Sequence, residues 1–490
     1  MKFRPAGHPF AKPFAATTVL VVATFAVVLP LKLGVLASFG PASQPDTTDY
    51  VRYADAILSG AFRHVDLATE PMPVTLRRVI GYPATIAAAK AIVGRNWAWA
   101  VVVLQFAVSL WATAMVYRLA RAFGLGVGLS LAVVAAQATA MQFVVDQAVL
   151  SDSLTGSTLT IATCMLGLVA LRREPRPLAI YLGIGTLIAV AFLMREVGIY
   201  LAAGLAPLAV SAGAVERSRL RQWLAVALVF LPLLATFAGY LEWNRVRVGA
   251  AVITSTAQAT LYDALTEAAV YDPTIYSGST PIDIVGRRIL EKVRVERLGF
   301  EGESSAMLHD EFGWDAIRMS HEATLAYLRG WRDHPYAMIR HTLMHMSEQQ
   351  LHQAVRPIET IRDVILWNTG QNSDLARERV VRAGNWWQIP AVILNWIVMT
   401  ISVFVFLAFV VVTPIRLFRE GWNAETSVSV GIWCFYMTVG WLYAAVHLEP
   451  RYLTPVVDGS IVVGTLNIVR VVEFCRDLRA TQSTSKTNVG

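Results

Sequence analysis

Charged side chains are scarce in this 490-residue chain: Asp, Glu, Lys and Arg make up 16% of it, against 55% hydrophobic residues. Soluble globular proteins carry about 25% charged residues, so the shortfall excludes an ordinary water-soluble fold, and the apolar content excludes intrinsic disorder. Cysteine is nearly absent. Cys164, Cys434 and Cys475 are the full set, two in apolar runs and one near the C-terminus, at spacings that suit neither a metal nor a redox pair. A disulfide scaffold is therefore excluded. A glycine-rich phosphate loop, a sequence repeat and a low-complexity tract are all lacking. The basic excess, 42 Lys+Arg over 35 Asp+Glu, is small and sits largely in short loops between apolar runs. That is the pattern of membrane topology, and no nucleic-acid partner is expected.

What is abundant is apolar sequence in lengths of about 20 residues, enough to cross a hydrocarbon core of about 30 Å as helix. The first run, from about Ala15 to Ala37, follows Lys2, Arg4 and Lys12 and is longer than the apolar core of a signal peptide, so it reads as an uncleaved anchor. Further runs lie near Trp97–Tyr117, Leu125–Val145, Leu154–Leu171, Leu178–Met194, Val197–Val215, Trp223–Leu241, Ile389–Thr413, Val428–Val446 and Leu453–Val469. The expected fold class is all-α: a polytopic transmembrane bundle of about ten spans. Threading from an inside N-terminus puts Arg118/Arg121, Arg172/Arg173/Arg176, Arg217/Arg219/Arg221, Arg416/Arg419 and Arg470/Arg476/Arg479 on one side, as the positive-inside rule asks. The apolar stretch from Leu178 to Val215 is too long for one span and holds Arg195-Glu196 at its middle. A charge at the bilayer centre costs about 2.5–3.5 kcal/mol on insertion scales, so a break into two helices with this pair at the outer surface is favoured.

This threading leaves two long outer segments, 38–96 and 242–388. The organisation reads as an N-terminal transmembrane module over 1–241, a helical extracytoplasmic domain over 242–388, a C-terminal transmembrane module over 389–470 and a cytoplasmic tail over 471–490. In the outer domain Ile282, Val285, Ile289 and Val293 make one apolar stripe. Trp314, Ile317, Leu325, Leu328 and Trp331 make a second, and Tyr336, Ile339, Leu343 and Met346 a third. The Ser/Thr-rich end after Ala480 reads as a disordered tail.

Candidate chemistry concentrates in the outer loops. Pro45 followed by polar residues suits a helix start, with Asp46 or Thr47 as cap and Tyr50, Tyr53 and Ile57 on one face. A carboxylate in a loop pinned to a span is also held reproducibly at headgroup level, where it can serve as a general base. His341, His345, Glu348 and His352 fall at i, i+4, i+7 and i+11, one narrow helical stripe. The expected reading is a polar face turned to solvent or headgroups; a divalent-metal site is the alternative, since His at i and i+4 reach one ion. His309, Asp310 and Glu311 read as loop polar residues.

Taken together, Asp46 with Tyr50 and Ala54, and then Arg78-Val79-Ile80-Gly81-Tyr82-Pro83, resembles the first outer loop of the GT-C membrane glycosyltransferases. That superfamily includes the dolichyl-phosphate-mannose protein mannosyltransferases and the aminoarabinose transferases of lipid A. Leu150-Ser151-Asp152-Ser153-Leu154 is similar to a segment where the family often has an acid. Met194-Arg195-Glu196-Val197-Gly198 resembles its Arg-Pro-Gly-like turn, with Glu196 in place of the proline, and His447-Leu448-Glu449-Pro450-Arg451-Tyr452-Leu453-Thr454-Pro455 is similar to its Glu/Arg/Tyr/Pro segment. The resemblance implies a GT-C architecture in the cytoplasmic (inner) membrane with its site on the extracytoplasmic side. It also implies transfer of a sugar from a polyprenyl-phosphate donor to an acceptor glycan, lipid or protein. Asp46 would be the base, with Asp49 in reserve. Arg451, Arg195, Arg77, Arg78, Tyr452 and Asp152 would bind the donor. Breaking a glycosyl–phosphate bond leaves negative charge on the phosphate, which rim arginines stabilise through charge-assisted hydrogen bonds. No cofactor is assigned, and a divalent metal stays open. The alternatives are a transporter or flippase of lipid-linked substrates, or a polysaccharide polymerase or ligase.

Overall fold

The computed structural model describes residues 29–63, 65–138, 140–196, 198–296, 303–352, 388–446 and 450–487. Most of the first apolar run, and His447 to Glu449 of the C-terminal motif, lie outside them. Among the described residues the secondary structure is helical, apart from one isolated bridge between Ala42 and Ala148. Six helices are long and apolar enough to cross a membrane, or seven if the bent pair Val127–Ala138 and Met141–Gln147 counts as one span. The chain is a multi-pass membrane protein.

The N-terminal half runs α1 (Leu29–Phe39), α2 (Pro45–Ser59), α3 (Gly81–Val93), α4 (Trp97–Ala122), α5 (Val127–Ala138) and α6 (Met141–Gln147). It continues as α7 (Ser151–Arg172), α8 (Leu178–Met194), α9 (Gly198–Gly213) and α10 (Arg219–Val248). At about 1.5 Å per residue, α8 and α9 are each only about 25 Å long, shorter than the hydrocarbon core. They flank the Arg195-Glu196 break that the charges dictate. After α16 (Gln388–Leu407) in the second half, five π-helical residues, Ala408–Val412, lead into α17 (Thr413–Glu420), followed by α18 (Ala424–Val446) and α19 (Thr454–Thr487). The last helix runs through the Ser/Thr-rich end, so the tail expected to be disordered after Ala480 is helical as far as Thr487. A helix already propagating adds one hydrogen bond per residue fixed, and Ser, Thr and Lys are tolerated in its extension.

The centre of the bundle is α7, whose membrane-length window is 89% buried. It is rich in Ser, Thr and Gly, and its small side chains let α4, α8, α9 and α19 pack closely around it. The bundle core is completed by α18 through Val428, Ile432, Phe435 and Val439.

Between the two halves, α11 (Ala257–Tyr271), α12 (Pro281–Glu296), α13 (Glu303–Phe312), α14 (Ala316–Asp333) and α15 (Pro335–His352) enclose a separate apolar core. The first predicted stripe is buried there: Ile282, Val285 and Ile289 are all at most 1% exposed. The other two are buried only in part: Trp314 lies in this core, Trp331 packs against it and Met346 packs against the bundle. Leu325, Leu328, Tyr336, Ile339 and Leu343 are exposed, while Ala323, Ala326 and Gly330 of α14 and Ala337 and Met338 of α15 face inward. Helical periodicity identifies an amphipathic helix but not which stripe is chosen. Here the small residues win because they permit the closest approach of α14 to α11: a methyl group on Gly330 would stand 2.7 Å from Leu265.

Candidate active site

Two acids open two helices. In α2, Gln44 is the N-cap and Pro45 occupies the first helical position, so Asp46 falls one residue inside the helix and does not cap it. The capping is done by Thr47, whose Oγ1 accepts the Gln44 N–H at 2.9 Å and donates to the Val149 carbonyl at 3.0 Å. In α7, Leu150 is the N-cap and Asp152 occupies the position equivalent to Asp46. Both carboxylates thus lie where the partial positive charge of a helix N-terminus favours them. The two helix starts are tied together: Ala42 N–H donates to the Gln147 carbonyl and Val149 N–H to the Ala42 carbonyl, each at 2.9 Å. Tyr50 Oη, one turn further along α2, lies 2.8 Å from Ser151 Oγ.

Arginines reach these acids from three distant segments. Arg78 Nη2 donates to Asp46 Oδ1 at 2.6 Å, and Arg451 Nη2 to Asp46 Oδ2 at 3.0 Å. Arg195, the C-cap of α8, pairs with Asp152. Its guanidinium carbon lies 3.9 Å from the centre of the Tyr452 ring, and that of Arg451 lies 5.3 Å from the same ring. Tyr443 of α18 backs the Tyr452 ring at 4.9 Å between centroids. Arg77 is different. It is half-exposed and pairs with Asp49 at 3.3 Å, on the edge of the cluster.

The segment that carries Arg78 is held by its backbone. Ser255 N–H donates to the Leu76 carbonyl at 2.8 Å and Thr256 Oγ1 to the Arg77 carbonyl at 2.6 Å. Gly81 then brings the start of α3 against the end of α8. A methyl group at this glycine would lie 2.5 Å from the Leu193 carbonyl oxygen, so the absent side chain is what places Arg78 near Arg195. Burial by itself disfavours the Arg78 charge, but the neighbouring Asp46 and Glu196 carboxylates favour it, and the guanidinium is held above its ordinary range. Burial also pushes the Tyr50 phenol up, so it remains a protonated hydroxyl at neutral pH. The Arg78 Nε–H, buried, has no hydrogen-bond partner among the described residues.

The structure therefore brings Asp46, Arg78, Arg451, Arg195, Asp152 and Tyr452 into one cluster and leaves Asp49 and Arg77 at its rim. Three guanidiniums face two carboxylates, an arrangement suited to binding an oxyanion. Each Asp46 oxygen already accepts from an arginine, so the carboxylate takes a proton only if one of those bonds is exchanged. In the sequence Gly81 stands out only as a member of the Arg78–Pro83 motif, and Tyr443 does not stand out. Tyr443 is one aromatic among many in an apolar run and carries no local signal.

No family model and no curated protein sequence matches the chain. Among solved structures it aligns with ArnT from Cupriavidus metallidurans bound to undecaprenyl phosphate, with a TM-score of 0.37, and with the same protein in the apo state, with a TM-score of 0.32. In both cases the sequences are 14% identical and the alignment covers 92% of this chain and 78% of the other.

Proposed function

We propose that this protein is a membrane glycosyltransferase of GT-C type that moves a sugar from a polyprenyl-phosphate donor to an acceptor glycan, lipid or protein at the outer face of the cytoplasmic membrane. The observation that carries the reading is the meeting of Arg78 and Arg451 on the two oxygens of Asp46, beside the Arg195–Asp152 pair. A lipid donor keeps its chain in the bilayer and presents its phosphate at the interface, where these arginines supply charge-assisted hydrogen bonds. The phosphate gains negative charge as the glycosyl bond breaks, and the same donors bind it more tightly in the transition state than in the ground state. On this reading the phosphate draws one arginine away from Asp46. The freed carboxylate then accepts the acceptor's proton as its hydroxyl attacks the anomeric carbon, giving inversion in one displacement.

The test is lipid analysis of cells with and without the gene, followed by incubation of the purified protein with the extracted lipids. Loss of the gene should lead one polyprenyl-phosphate sugar to accumulate, and the protein should consume it with release of polyprenyl phosphate. Unchanged lipid profiles together with no consumption would remove the reading.

A further inference from the structure

Of the histidine stripe of α15, the side chains of His341 and His345 are described, and they meet α11 and not solvent alone; those of Glu348 and His352 lie outside the described residues. His341 is 1% exposed, and its Nδ1 lies 3.5 Å from Oε2 of Glu267 in α11; His345 Nε2 lies 2.8 Å from the same oxygen. The two imidazole rings stand 4.3 Å apart between centroids. One ligand atom from each of the three residues fits within a 4.8 Å span. We propose that Glu267, His341 and His345 form a binding site for a divalent cation of the zinc class.

The chemistry of the donor set selects the ion. Zinc binds imidazole nitrogen and carboxylate oxygen at about 2.0–2.2 Å, which puts neighbouring ligands of a tetrahedral site about 3.3 Å apart. The two distances from Glu267 Oε2, 2.8 and 3.5 Å, bracket that spacing, and all three ligand atoms lie within 4.8 Å of one another. Two imidazoles disfavour Mg2+ and Ca2+, which take oxygen ligands. The i, i+4 spacing puts both histidines on one face of α15, one turn apart, and the carboxylate arrives from the facing helix, giving three protein ligands and one open position.

Its place in the fold gives the site a task. Met338, near the start of α15, packs into the core formed by α11 to α14, whereas Met346 packs against the core of the bundle. His341 and His345 lie between them. A cation held jointly by α11 and α15 locks the outer helical unit at the point where it meets the bundle, and the inference stands apart from the sugar-transfer reading.

The test uses the full chain, purified in detergent without a histidine tag and stripped with a chelator. Titration with Co2+ should give the ligand-field absorption of a tetrahedral nitrogen/oxygen site, saturating at one equivalent and displaced by Zn2+. Zn2+ should also raise the melting temperature of the stripped protein. Removing a partner of a ligating residue commonly weakens metal affinity about 10- to 100-fold, and His345→Gln or Glu267→Gln, which remove a ligand, should cost at least that. The measurement on the unaltered chain does not depend on any variant folding: absence of the absorption and of the melting shift overturns the site and leaves a histidine–carboxylate ion-pair contact only. Undiminished binding in whichever of the two variants folds also overturns it.

Discussion

Asp46 and Arg451 are 405 positions apart in sequence, yet Oδ2 of one lies 3.0 Å from Nη2 of the other. This contact joins the start of α2 to the turn between the last two helices. With Arg78 on Oδ1, it makes Asp46 the point where both halves of the chain meet. Asp46→Asn keeps the size of the side chain but can no longer take a proton. If Asp46 is the base, turnover should fall on the order of 10²–10⁴-fold, with donor KM changed far less. Asp49→Asn, at the rim, should be the milder change, and near-normal turnover in both variants would take the base out of this loop.

Arg451→Ala removes one charge-assisted hydrogen bond, worth roughly 1.5–3 kcal/mol, which is about a 10- to 150-fold loss in donor use. Arg219→Ala, an exposed arginine at the start of α10 that makes no contact with the cluster, should leave it intact. The comparison is made at subsaturating donor with matched membrane abundance. Equal rates for wild type and Arg451→Ala would exclude this arginine from the site.

The Arg195–Asp152 pair is largely buried, with the side chains 13% and 2% exposed. Taking one partner from such a pair leaves an uncompensated charge and costs about 3–5 kcal/mol. Asp152→Asn should therefore lower the melting temperature of the purified protein. The double substitution Arg195→Met with Asp152→Leu should recover much of that loss while staying inactive. A wild-type melting curve for Asp152→Asn would mean that the pair contributes little to stability.

Orientation is checked with single cysteines in a background lacking Cys164, Cys434 and Cys475. Ser43 and Ser279, both exposed, belong to the proposed outer segments, and exposed Glu174 to an inner loop. An impermeant maleimide applied to cells with a permeable outer barrier should label cysteines at the first two positions and spare the third. The reverse pattern would place the arginine cluster on the wrong side for an external lipid donor.

Hydropathy and charge along the chain were enough to locate the apolar helices, to break the Leu178–Val215 stretch at Arg195-Glu196 and to draw attention to Asp46, while Asp152, Arg78 and Arg451 stood out through the resemblance of their segments to the GT-C motifs. These signals are local: the cost of a charge in hydrocarbon and the length needed to span it act on consecutive residues. Local pattern also misled. It offered Asp46 or Thr47 as the cap; Thr47 takes part, with Gln44 as N-cap, and Pro45 at the first helical position leaves Asp46 inside the helix. It also grouped Leu325 and Leu328 with Trp314, and Ile339 and Leu343 with Met346, although the tertiary packing leaves the leucines and Ile339 exposed. Only the folded chain decided which arginine meets which acid, that Gly81 must lack a side chain to pass Leu193, and that His341 and His345 meet Glu267. Those outcomes depend on contacts between helices far apart in sequence, where the shape and size of the facing surfaces decide the partner, and no stretch of one helix carries that information.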